Sequence, residues 1–149
     1  MSSNYTSYAV IGIQIPMEDD VAVISTKIMR NGCEHNVPLN KRFCSECGKP
    51  RITFARYLYW DNINLKSSKL DRVFDTDGEN TYIGYIVSSG IYGSDATRRP
   101  LPDINAVREN IVNLGKTAKV PDGFKENFAK LIKDNLDSFG LWAVQYCSY

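Results

Sequence analysis

Cys33, His35, Cys44 and Cys47 constrain the fold of this chain more than any other residues, with the spacing Cys-x-His, eight residues, then Cys-x-x-Cys-Gly. They supply four soft or borderline donors, the set that a tetrahedral zinc takes in a structural site, where no position is left open for a substrate. Two cysteines separated by two residues curl around one metal, and the Gly48 that follows permits the positive φ with which such a turn closes. Two alternatives stand beside metal: free thiols or a redox pair, and disulfides among the four cysteines. The segment Met1-Ser2-Ser3-Asn4-Tyr5-Thr6 has no basic region followed by an apolar stretch. That argues against secretion and for a reducing compartment, where metal is favoured over disulfides. His35, the sole histidine, becomes a ligand only through its cysteine neighbours, and Cys147 is the spare candidate for a fourth ligand.

The stretch Phe43-Cys44-Ser45-Glu46-Cys47-Gly48-Lys49-Pro50 reads as a zinc knuckle. Over about residues 30–51 the chain resembles the zinc-ribbon family, whose knuckles carry Cys-x-x-Cys-Gly. The resemblance implies knuckles paired across a short β-hairpin and a structural Zn2+. It departs from the family in its first half, where Cys33-Glu34-His35 replaces a second Cys-x-x-Cys.

Charge is concentrated around the same segment. Between Lys27 and Arg56 lie Lys27, Arg30, Lys41, Arg42, Lys49, Arg51 and Arg56 against Glu34 and Glu46, a local balance of +5 in a chain of net charge +1, so that the remainder carries −4. The total excludes a globally basic nucleic-acid coat, while the basic island fits phosphates or an acidic protein face, or is a solvated loop. No apolar run approaches the ~20 residues of a membrane span. At 149 residues the expectation is one domain over 1–149 with a zinc-ribbon-like insert at 30–51, in the cytoplasm.

Alternation predicts strands at Tyr8–Ile15 and Val21–Arg30, joined as an antiparallel hairpin through the polar loop Pro16–Asp20. A third strand is expected at Ile52–Trp60, so that metal clips the connection between neighbouring strands, and a fourth at Thr81–Ser88. Asp75-Thr76-Asp77-Gly78 fails the register of a calcium loop, with Val73 and Gly84 where the first and last ligands belong, and reads as a turn. The glycines of Ser88–Asp95 lack the pattern of a phosphate loop. Two helices are expected: one capped by Asp103, with Ile104, Val107, Ile111 and Leu114 inward and Gly115 at its stop. The other is capped by Asp122, with Phe124, Phe128, Leu131, Ile132 and Leu136 inward. A last strand at Leu141–Tyr146 completes an α+β fold: an antiparallel or mixed sheet, two helices of the C-terminal half on one face, and the zinc-ribbon insert between strands.

With its histidine committed to metal, the chain has no Ser-His-Asp or Cys-His arrangement, and no motif marks a small-molecule substrate. A zinc hydrolase, with Glu34 or Glu46 as base, is the enzymatic alternative, but it needs an open ligand position, and the His-x-Glu and Pro-Cys-x-x-Cys signature of zinc deaminases is missing. The expectation is a non-enzymatic interaction protein with a protein partner. The combination loosely resembles uncharacterised accessory proteins of phages and other viruses, which implies a host-directed or inhibitory role. The alternative is a nucleic-acid binder with Lys41, Arg42, Lys49, Arg51 and Arg56 on phosphates and Phe43 or Tyr57 stacked on a base. Glu34 and Glu46 are then bystanders.

Overall fold

A computed structural model describes residues 4–17, 22–35, 42–91 and 97–148. Along the chain lie β1 (Asn4–Pro16), β2 (Ala22–Asn31), β3 (Arg51–Tyr59), β4 (Asp71–Phe74), β5 (Asn80–Ile91), β6 (Thr97–Arg98), α1 (Ile104–Thr117), α2 (Lys125–Asn135) and β7 (Gly140–Ser148). The fold is α+β with antiparallel sheets, as expected. The larger sheet has the order β4-β5-β1-β7, with β6 on the far end of β5, and the smaller is the β2-β3 ribbon.

The expected hairpin of the first two strands does not form. β1 is apolar on both faces, with Ile11, Ile13 and Ile15 buried toward one side and Val10 toward the other. A strand covered on both faces belongs at a sheet centre, and both edges of β1 are occupied, by β5 and β7. No edge is left for β2, which pairs with β3 instead, from Ala22↔Tyr59 out to Asn31↔Arg51. The metal-ligating candidates thus lie in the connection between two adjacent strands.

The β1 face carrying Ile11, Ile13 and Ile15 joins Ile83 of β5 and receives both helices, through Val107, Ile111 and Leu114 of α1 and Phe128 and Ile132 of α2. Phe124, just before α2, fills the same core. Asp103 caps α1 as expected, its carboxylate accepting from the N–H groups of Asn105 (3.0 Å) and Ala106 (3.4 Å). Three details differ. Ile104 is exposed at the start of α1, and Gly115 does not end that helix but lies inside it, where a Cβ would sit 3.2 Å from Ile132 and crowd the helix–helix contact. Asp122 does not cap α2: Phe124 precedes that helix, after a Pro121–Gly123 turn in which Gly123 takes φ +94°.

The other face of the large sheet is concave. The two edge strands are brought together by Thr76, just past β4. Its N–H and Oγ1–H both donate to the Gln145 carbonyl (3.1 and 3.0 Å), and its Oγ1 accepts from the Cys147 N–H (2.9 Å). Val10, Val73, Tyr82 and Val144, one from each of four strands, are buried inside the curl. Glycines meet across the sheet, Gly12 opposite Gly84 on one side and Gly140 on the other. A Cβ at Gly12 would collide with the Ile83 carbonyl, and one at Gly84 with that of Ile11. The Asp75–Asn80 turn behaves as expected, the Asp75 carboxylate accepting from the Glu79 N–H at 3.0 Å while Gly78 takes φ +67°.

Two substitutions test this construction by urea denaturation. Gly12→Ala is expected to lower stability by about 3 kcal/mol, because the obstacle is backbone that cannot move aside. Thr76→Val, which keeps the shape and removes both hydroxyl bonds, is expected to cost about 1–2 kcal/mol, with a midpoint shift and an unchanged denaturant slope.

Candidate metal centre

The connection between β2 and β3 contains the knuckle. Residues 42–51 fold back as a tight turn, with the Arg51 N–H donating to the Arg42 carbonyl (2.9 Å) and the Cys44 N–H to that of Lys49 (2.8 Å). The Gly48 N–H donates to the Cys44 carbonyl (2.8 Å), and Gly48 adopts φ +73°, the left-handed geometry expected from its place after Cys-x-x-Cys. The arm bearing Cys33 and His35 approaches this turn at Gly32, where any side chain would press on the Pro50 carbonyl.

One potential ligand atom from each of Cys33, His35, Cys44 and Cys47 lies within 4.8 Å of the others. Tetrahedral zinc with Zn–S bonds of about 2.3 Å holds its sulfurs about 3.8 Å apart, so the cluster is already near the size of a filled site. Cys147 is elsewhere, buried in β7 opposite Tyr5, and has no part in the cluster. All four cysteines are free thiols. The Cys3His set is compatible with a metal ion such as zinc.

The thiols are unequal. Cys44 is 3% exposed, and its pKa is lowered to about 6. The backbone N–H of Cys47 is the largest cause; burial opposes it, and the Glu46 N–H and the Cys33 and Cys47 side chains assist. Such N–H···S bonds stabilise thiolate, the form that ligates metal. At Cys33 the His35 backbone pulls the thiol down, but burial together with the Cys47 and Cys44 side chains outweighs it and leaves the pKa raised. The cluster therefore offers, in Cys44, one thiolate prepared by its own turn, and in Cys33 a thiol that gives up its proton less readily.

Glu46 is not a bystander. Its Oε2 lies 3.4 Å from His35 Nε2, across from the other arm of the cluster. Its place between the two cysteines of Cys-x-x-Cys was visible in the sequence, but its reach to a residue eleven positions earlier was not.

The candidate binding residues are dispersed over the ribbon. Arg42, Phe43 and Lys49 are exposed on the knuckle, Arg51 is half-buried where β3 begins, and Tyr57 is exposed on β3 with its ring 6.2 Å from that of Tyr59. Arg56 is turned back toward the body, its guanidinium 5.3 Å from the centre of the Phe124 ring. Lys41 lies outside the described residues. By alternation Ile52 and Phe54 share a side of β3 with Leu58. Leu58 and Trp60 are buried, whereas Ile52 and Phe54, farther out, are exposed. Among the described residues, no helix is long and apolar enough to cross a membrane.

No family model matches the chain, and neither the curated proteins nor the solved structures contain a match to it.

Replacing Cys44 or Cys47 with Ser is expected to reduce bound metal from about one equivalent to a small residue, measured by elemental analysis of protein purified without chelator. Cys147→Ser is expected to leave the metal content unchanged. Loss of metal in the Cys147 variant would contradict the ligand set.

Proposed function

We propose that this chain is a non-enzymatic interaction protein in which a structural Zn2+, held by Cys33, His35, Cys44 and Cys47, stabilises the β2–β3 ribbon as a docking surface for a protein partner. The observation that carries this reading is the apolar surface of the ribbon and its knuckle. Phe43 (57% exposed), Ile52 (45%), Phe54 (45%), Tyr57 (44%) and Tyr59 (40%) all lie along it. Exposed apolar groups gathered on one element mark interaction surfaces, and aromatic side chains are enriched in protein interfaces. Arg42 and Lys49 at the knuckle suit a partner whose contact face has an apolar centre and an acidic rim.

Zinc is favoured by the donor set of three thiols and one imidazole, and four protein donors leave no position for a substrate. On the resemblance alone, the reading extends to a phage or viral accessory protein that acts on a host protein in the host cytoplasm.

A nucleic-acid ligand is the second reading, favoured by the adjacent Tyr57 and Tyr59 rings and the exposed Arg42 and Lys49. The placement of Arg56 over Phe124 weakens it, because that cation is engaged by the body.

Affinity purification from extract of the source cells, with wild-type chain beside a Phe54→Ser, Tyr57→Ser variant, separates the readings. A protein retained by the wild type and lost from the variant is expected, since interface aromatics at hot spots each contribute more than about 1 kcal/mol. Salt-sensitive binding of single-stranded oligonucleotides, with no protein retained, would favour the second reading instead.

A further inference from the structure

The histidine of the cluster is oriented by the neighbours of both its nitrogens. Nδ1 of His35 lies 3.3 Å from Cys33 Sγ, within the donor set, while Nε2 faces Glu46 Oε2 at 3.4 Å. A neutral imidazole offers one nitrogen to a metal while the other carries a proton, and the group that receives this proton selects the tautomer. Around tetrahedral zinc, with bonds of about 2.3 Å to sulfur and 2.0 Å to nitrogen, the two donors stand about 3.5 Å apart, close to the separation of Nδ1 from Sγ. A carboxylate beside Nε2 favours an N–H at that nitrogen.

We propose that His35 ligates the zinc through Nδ1, and that Glu46 is its positioning residue, accepting a hydrogen bond from Nε2–H. This rests on the zinc reading given above. Glu46 sits on the turn that supplies Cys44 and Cys47, so the second half of the site fixes the tautomer and ring orientation of the ligand supplied by the first. The two arms are thereby coupled by a contact additional to the metal. It also accounts for the short Cys-x-His spacing: the nitrogen nearer the backbone is the one that a ligand two residues from Cys33 brings to the same ion.

Long-range 1H–15N correlation spectra of the zinc-loaded, 15N-labelled chain report the tautomer directly. The expected pattern is a metal-bound Nδ1 and a protonated Nε2. Competition with a chromophoric zinc chelator gives the second readout: Glu46→Ala is expected to weaken zinc binding about tenfold, whereas Glu46→Gln, whose amide oxygen still accepts from Nε2–H, is expected to stay within about threefold of the wild type. A metal-bound Nε2, or a Glu46→Ala chain that holds zinc as tightly as the wild type, overturns the proposal while leaving the zinc site intact. A wild-type chain that takes up no zinc contradicts the zinc reading itself. The spectra of the wild type decide the tautomer even if a variant fails to fold.

Discussion

A two-stranded ribbon in water has no core of its own, and among the described residues β2–β3 is covered at one end. There Val23, Ile24 and Leu58 pack against the apolar center that β1, β5, α1 and α2 share. Farther out, Ile52 and Phe54 lie on the surface. Strand pairing alone is marginal at such a length, so something at the far end must hold the strands in register. The four donors converge there, where β2 leads into Cys33 and the knuckle leads into β3 at Arg51. A metal held at that point would take the place of the hydrophobic core that so short a segment cannot build.

The body solves a different problem by different means. Its large sheet is buried on one face by helices and folds its other face inward, so that Val10, Val73, Tyr82 and Val144 cover one another. The facing pair Gly12 and Gly84 permits the close approach, and Thr76 fastens the edges.

The features legible in the sequence are local ones. The quartet could be read because its spacing is short and its donors are chemically distinctive; Asp103 because a cap acts within one turn; Gly48 because a knuckle needs a positive φ. The antiparallel α+β architecture followed from alternation and helical spacing. Pairing partners did not, since β1 and β7 lie at opposite ends of the chain, and sequence proximity wrongly suggested a hairpin of β1 with β2. Gly115 and Asp122 mislead for a related reason: a glycine also serves close helix packing, as it does against Ile132, and a turn beside Pro121 can place Phe124 rather than Asp122 before the helix. Glu46 reads as a bystander in the sequence because its partner His35 comes near only when the two arms of the cluster meet.

The central claim is that metal at the tip, rather than packing, holds the outer ribbon. Amide hydrogen exchange of the full chain, compared with zinc bound and after its removal by chelator, tests it most directly. The account predicts that protection falls in residues 42–51 and in the outer parts of β2 and β3, while β1, β5, α1 and α2 keep theirs. Equal protection of the ribbon in both states would contradict it, as would collapse of the whole body once the metal is withdrawn.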